Sequence, residues 1–251
     1  MKTKIITLIM SFLFMALTYS NLNAQGIKIY KNNGSTFDIP YSELDSIVTY
    51  DTQNSQIPEE EITSGQEVDL GLSVIWGGWN VGASSPEQYG SYYAWGETEE
   101  KSRYGWPTYD FWSDKNGNGG MDVSEITNLG SNISGTKYDV AHKKWGGSWR
   151  MPTQAEFEEL ISKCTWTWYQ YNGVNGYKVT GPNGNSIFLP AGGGYSESSN
   201  NYKGVYGNYW SASMNEGDTM DHAWYLSFNH EFYASGESRN RSLGRTIRPV
   251  K

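Results

Sequence analysis

The stretch KKWGGSWRMPTQAEFEELISKC, Lys143–Cys164, carries the clearest helix signal in the chain. Thr153 followed three residues later by Glu156 forms a capping box, in which each side chain accepts a hydrogen bond from the other residue's amide. Pro152 favours an extended backbone in the residue before it, so the helix cannot begin earlier. The apolar residues that follow recur at helical spacing, at Phe157, Leu160, Ile161 and Cys164. This pattern predicts a helix that begins after Thr153 and buries one face against a core.

The 251-residue chain is acidic, with a formal net charge of −8. Residues 1–24 have the pattern of a signal peptide, with Lys2 and Lys4, an apolar run and a polar end before Gln25. Its removal takes away two lysines and changes the net charge from −8 to −10. We therefore expect a secreted or surface-displayed protein, with the periplasm left open. The apolar run is too short for a transmembrane span, and the acidic charge argues against nucleic acid as a partner.

The domain organisation follows from composition. Residues 25–51 contain two alternating apolar runs around an Asn-Asn-Gly turn, which predicts a short β-hairpin unit. Residues 52–65 form a polar, acidic linker. Residues 66–251 form the main domain. The 29 glycines and many aromatic residues of the whole chain favour short strands and long ordered loops. Strands are predicted at 69–76, 89–97, 176–180, 186–190, 208–213, 223–229 and 245–250.

Several ordered motifs of the main domain resemble the Fibrobacter succinogenes major paralogous (FISUMP) domain. They are Asp69–Val74, Asn80–Ala83, Tyr92–Glu97, Trp145–Leu160, Tyr209–Ser213 and Gly244–Val250. That family is similar to the C-type-lectin-like superfamily. The resemblance implies an α+β fold of small antiparallel sheets, one or two helices and long ordered loops. It also implies a secreted protein of the kind found in Bacteroides-type bacteria.

The sequence contains no set of residues that predicts catalysis. HExxH, CxxC, GxSxG, Walker and dinucleotide motifs are absent. The related formylglycine-generating enzymes use a cysteine pair that binds copper, whereas Cys164 is the only cysteine in this chain. We therefore predict that the protein is not an enzyme, and formylglycine-generating activity is the least favoured alternative.

One loop has the spacing of a calcium site. Asp114 to Glu125 matches the twelve-residue calcium loop at each liganding position. The predicted ligands are Asp114, Asn116, Asn118, Gly120, Asp122 and Glu125. No helix is predicted before the loop and no second loop is present to pair with it. A polar, turn-rich insertion that binds no metal is the alternative.

The last quarter of the chain is crowded with tyrosine, asparagine and arginine, a mixture typical of binding loops. Tyr195, Tyr202 and Arg239 are among these residues. The predicted ligand-binding residues are Tyr206, Asn208, Tyr209, Tyr225, Asn229, His230, Tyr233, Asn240 and Arg241. In lectin-like folds this quarter meets ligands, and some similar proteins are diversified here by retroelements. The sugar-binding triplets of calcium lectins are absent.

We therefore predict a non-catalytic binding module whose ligand is a glycan or a protein. The runner-up is a structural or assembly component of a surface complex, in which the N-terminal hairpin docks on a partner. The alternative to a binding surface in the last quarter is that its polar residues only solvate long loops.

Overall fold

The computed structural model describes residues 26–30, 36–40, 62, 65–217 and 220–251. The predicted signal peptide at 1–24, the hairpin turn, residues 41–51 and most of the linker lie outside the described residues. The chain divides into two units, residues 1–58 and 59–251. In the first unit, β1 (Gly26–Tyr30) pairs antiparallel with β2 (Thr36–Pro40).

The second unit is an α+β structure of small antiparallel sheets with few helices. Its strands are β3 (Glu67–Asp69), β4 (Ile75–Gly77), β5 (Thr165–Tyr171), β6 (Val174–Thr180), β7 (Ser186–Pro190), β8 (Gly194–Ser196), β9 (Ser199–Asn201), β10 (Gly207–Met214), β11 (His222–Phe228) and β12 (Tyr233–Asn240). They form the sheets β3-β4, β5-β6-β7, β8-β9 and β10-β11-β12. The α-helices are α1 (Val140–Trp145) and α2 (Gln154–Lys163), with short 3-10 helices at Trp106–Thr108 and Val123–Glu125. Within the described residues, no helix has the length and apolarity needed to cross a membrane.

Helix α2 begins where the sequence predicts. The amide of Glu156 donates to Thr153 Oγ1 at 3.3 Å, and the amide of Thr153 donates to Glu156 Oε2 at 2.7 Å. Phe157 and Leu160 are fully buried on the predicted apolar face. The Phe157 ring lies 5.7 Å from the ring of Trp76, which comes from β4. The capping box is confirmed. Of the predicted apolar face, Phe157 and Leu160 are buried, whereas Ile161 and Cys164 are only partly buried and Cys164 follows the last helical residue.

Three of the predicted strands are wrong. Residues 69–76 do not form one strand, because β3 ends at Asp69, β4 begins at Ile75, and Gly71 with φ of +74° lies in the turn between them. Segments 89–97 and 245–250 meet in a single bridge, between Tyr93 and Arg245. Residues 244–250 form isolated β-bridges to several different segments, so they do not pair continuously with any one strand. Its other bridges join Gly244 to Tyr195, Thr246 to Tyr209, and Val250 to both Trp76 and Arg150.

The β10-β11-β12 sheet lies between two hydrophobic cores, because successive side chains of a strand point to opposite faces. On β10, Tyr209 belongs to the core beneath α2, whereas its neighbour Trp210 belongs to a second core. On β11, Phe228 belongs to the first core and Tyr225 to the second. This alternation decides which side chains of the last quarter can reach the surface.

Candidate functional site

A pocket of about 430 Å³ lies beside the β10-β11-β12 sheet. Its walls are completed by the β8-β9 hairpin, the turn after β9 and the chain around Gly244. The described aromatic residues that line it are Tyr195, Tyr202, Tyr206, Tyr225 and Phe232. Its polar residues include Asn208, Ser227, Glu237, Arg239 and Arg245. This volume is in the range of sites that bind small molecules.

The floor of the pocket is held by side-chain hydrogen bonds between neighbouring strands. Ser227 Oγ donates to Asn208 Oδ1 at 3.3 Å, and Asn208 Nδ2 donates to the carbonyl of Gly193 at 3.2 Å. The hydroxyl of Tyr225 donates to Glu237 Oε2, and these two residues are directly paired across β11 and β12. Strand pairing therefore presets the polar floor of the pocket.

The rim of the pocket exposes aromatic surface. Tyr202 is 68% exposed and Phe232 is 39% exposed, which are high values for large apolar side chains. Tyr206 lies between them, with its ring 5.3 Å from that of Tyr202 and 6.3 Å from that of Phe232. Exposed apolar patches on a soluble protein commonly mark sites of binding.

Three of the predicted ligand-binding residues, Tyr206, Asn208 and Tyr225, line this pocket. Two others require correction, because they are completely buried. Tyr209 points into the core beneath α2, and its hydroxyl donates to the carbonyl of Pro190 at 2.7 Å. Arg241 donates from Nε to the hydroxyl of Tyr109 at 3.0 Å and lies over the Trp95 ring. Neither side chain is placed to touch a ligand.

Asn229, His230 and Asn240 are not among the described residues that line the pocket. Asn229 is 6% exposed, and its Oδ1 accepts the amides of Glu231 and Phe232, so it shapes the turn that carries Phe232. His230 is exposed beside Trp168. Asn240 ends β12, opposite His222. Tyr233 pairs through its backbone with Phe228, and its side chain is outside the described residues.

Phe232, Glu237 and Arg245 also line the pocket, although their sequence context did not predict this. Arg245 belongs to a motif that also contains Arg248, and Arg241 lies four residues earlier. All three arginines are buried. Arg248 donates to Asn80 Oδ1, the Gly77 carbonyl and the Phe188 carbonyl at 2.7–2.9 Å. Nothing in the sequence distinguishes these structural arginines from one that lines a pocket.

Arg245 is 6% exposed and differs from the other two in its partners. Its guanidinium carbon lies 3.8 Å from the centre of the Tyr225 ring and 4.9 Å from that of Trp210. Its Nε is buried without a hydrogen-bond partner. Burial lowers the pKa of Arg245 to about 10, and the nearby Tyr225 and Glu237 partly oppose this effect. Arg245 is therefore a protonated group at neutral pH.

The predicted calcium loop is held by its own side chains. Asp114 accepts the amides of Gly117, Asn118 and Gly119, and Glu125 Oε1 accepts those of Lys115 and Asn116. The oxygens of Asn116 and Asn118 each accept an amide two residues later. Asp122 instead caps the following 3-10 helix through Ser124, whose hydrogen bonds lower the pKa of Asp122.

Two observations bear on whether this loop fits calcium. Glu125 is 5% exposed, and its Oε2 is buried without a hydrogen-bond partner. A buried carboxylate oxygen with no donor is the kind of atom that a hard cation satisfies. Against calcium, no group of three or more His, Cys, Asp or Glu side chains within the described residues is arranged to hold a metal. A calcium ion here would depend on the asparagine and backbone oxygens for most of its ligands.

Comparison of the chain with family models, with curated proteins and with solved structures finds no match.

Proposed function

We propose that this protein is a non-catalytic binding module that takes a glycan in the pocket beside β10-β11-β12. The observation that carries this proposal is the exposed rim of Tyr202, Tyr206 and Phe232 above a polar floor. Flat aromatic faces suit the apolar C–H faces of a sugar ring, and the amide and hydroxyl groups of Asn208 and Ser227 suit its hydroxyls. A concave pocket with a few fixed polar groups is typical of small-ligand sites.

We also propose that the main domain has a C-type-lectin-like fold of the FISUMP kind, and that the protein is secreted or displayed at the surface. The small antiparallel sheets and few helices support the fold proposal. The motifs named above and the leader-like first 24 residues support the family and the location. A protein ligand on the same surface is the alternative to a glycan.

A glycan array tests the proposal, with the purified protein and two variants as probes. Tyr202 has φ of +63°, a conformation that asparagine tolerates, so Tyr202→Asn removes the ring with little backbone strain. Val205→Asn is the matched control, since Val205 is 48% exposed in the same turn and is not among the described residues that line the pocket. We expect binding that Tyr202→Asn weakens and Val205→Asn leaves intact. If no glycan binds, or if both variants bind as well as the wild type, the proposal is wrong.

A second proposal is that the loop Asp114–Glu125 binds calcium. It is supported by the buried Oε2 of Glu125 and by the match of the loop sequence to a calcium loop. Carboxylate oxygens commonly accept amide hydrogen bonds and bind a cation together, so the bonds inside the loop do not compete with this role. The expected affinity is that of a weak extracellular-type site.

A further inference from the structure

We propose that the glycan carries an anionic group, the carboxylate of a uronic-acid type of sugar, and that Arg245 binds this group. This inference rests on the proposed function, because it concerns the ligand of the same pocket. The geometry that supports it is a buried guanidinium that lines the pocket, contacts the rings of Tyr225 and Trp210 and has a buried Nε without a hydrogen-bond partner.

The comparison with Arg248 shows why this guanidinium is unusual. Both side chains are buried, and burial of a cation is costly unless hydrogen bonds or a counter-ion compensate for it. Arg248 has three protein acceptors. In the part of the chain that the structure describes, Arg245 has ring contacts and no carboxylate in ion-pair contact. Arg245 lines the pocket, so a ligand there could supply an acceptor to its guanidinium.

The charged residues that line the pocket include more cations than anions, which favours an anionic ligand. The described residues that line the pocket include two arginines, Arg239 and Arg245, and one carboxylate, that of Glu237. Glu237 accepts the hydroxyl of Tyr225, so part of its hydrogen-bonding capacity is already used. The pocket lining therefore carries a net positive charge in a protein whose overall formal charge is −8. A guanidinium also presents a planar fork of donors that matches a carboxylate.

A sugar fits this site better than an acidic peptide does. Peptide recognition commonly uses an extended groove or a free strand edge, whereas this site is a concave pocket of about 430 Å³. The arginine lies near the floor with Tyr225, and the exposed rings of Tyr202 and Phe232 form the rim. A ring-shaped ligand with one carboxylate can contact both regions at once.

The test compares pairs of oligosaccharides of equal length and linkage, ending either in glucuronate or in glucose. The two sugars differ only in a carboxylate at the position of a hydroxymethyl group. We expect the wild-type protein to bind the acidic member at least about tenfold more tightly, as a charge-assisted hydrogen bond implies. Arg245→Gln should reduce this preference to near one, and Arg245→Lys should retain part of it. Arg239→Gln is the matched control for loss of a positive charge at the pocket and should retain most of it.

Each outcome separates the two proposals. Equal binding of acidic and neutral sugars by the wild type overturns this inference and leaves the glycan-binding proposal standing. Equal losses of preference in Arg239→Gln and Arg245→Gln overturn the assignment to Arg245. Displacement of the acidic sugar by a lower concentration of an acidic peptide overturns the choice of a sugar. Failure of every glycan on the array to bind overturns the proposed function itself. If Arg245→Gln does not fold, Arg245→Lys provides the test. A reduced preference for the acidic sugar in Arg245→Lys supports the assignment to Arg245, and an unchanged preference overturns it.

Discussion

Arg248 donates from Nε to Asn80 Oδ1 at 2.8 Å, across 168 residues of sequence. The bond joins the end of the main domain to its beginning. Asn80 in turn donates to the carbonyl of Tyr89 at 2.8 Å, so both ends of its amide are used. Because Asn80 and Arg248 are completely buried, each needs the other to satisfy a polar group that water cannot reach.

Replacing Arg248 should therefore lower the stability of the protein strongly. Arg248→Met keeps an apolar side chain of similar length and leaves Asn80 Oδ1 and two carbonyls without their donor. We expect the free energy of unfolding to fall by about 3 kcal/mol or more, as when one partner of a buried polar pair is removed. Denaturant melts would measure the loss, and a loss below about 1 kcal/mol would contradict this account of the bond.

Arg245→Met is the matched comparison, three residues away. Removing a buried charge without a counter-ion relieves a desolvation penalty of several kcal/mol. It also forfeits the contacts with the Tyr225 and Trp210 rings, which are worth about 2 kcal/mol. We expect no loss of stability relative to wild type, and a gain is consistent with the same reasoning. A loss as large as that of Arg248→Met would show that Arg245 is structural.

Helix α2 contributes to stability through its N-terminal cap and through its buried face, and the two contributions can be compared. Thr153→Ala removes the capping oxygen and should cost about 1 kcal/mol of unfolding free energy. Phe157→Ala leaves a cavity against Trp76 and should cost about 3–5 kcal/mol, since Phe157 is fully buried. Chemical denaturation of both variants would give the order. Equal costs would mean that the helix does not depend on its buried face.

Glu156 gives a prediction about pH. Burial opposes its ionisation, but hydrogen bonds from Arg150 and from the Thr153 amide outweigh that effect, so the pKa of Glu156 is lowered. Arg150 reaches both carboxylate oxygens, at 2.9 and 2.5 Å. A carboxylate whose pKa is lower in the folded state contributes stability above its unfolded pKa. That contribution is lost as the pH falls through the folded pKa.

The variant Glu156→Gln isolates this effect, because glutamine at the same position can still complete a capping box. We expect it to be less stable than wild type by about 1 kcal/mol at pH 7. The difference should shrink steadily as the pH falls below about 4. Thermal melts between pH 3 and pH 7 would measure it, and a constant difference across that range would refute the ion-pair explanation.

The calcium proposal predicts a shift in melting temperature. Calcium should raise the melting temperature of the wild type, because a ligand that binds only the folded state stabilises it. Glu125→Gln should abolish the rise, since it removes the charge while keeping the size of the side chain. Glu158→Gln makes the same change at an exposed position of α2 and should leave the rise intact. A wild type that does not respond to calcium, or an equal response in all three proteins, would exclude calcium binding by this loop.

Features that depend on near neighbours could be predicted from the sequence alone. The start of α2 follows from Thr153, Glu156 and Pro152, which act within four residues of one another. The β6-β7 hairpin follows from two β-rich runs around a turn at Gly181–Asn185. Period-two alternation likewise decides that Asn208 and Tyr209 face opposite sides of β10, although the sequence does not say which side is buried.

The pocket depends on the tertiary structure. Arg241, Arg245 and Arg248 lie within eight residues, carry the same charge and are all buried. Their different roles arise because the terminal segment bonds to a new partner at almost every step, and those partners lie far away in the chain. Arg248 meets Asn80 and Arg241 meets Tyr109, whereas Arg245 meets two aromatic rings beside an open pocket. Local sequence contains no information about such distant acceptors, so only the folded chain distinguishes Arg245, whose Nε has no acceptor, from Arg241 and Arg248, whose Nε atoms each have one.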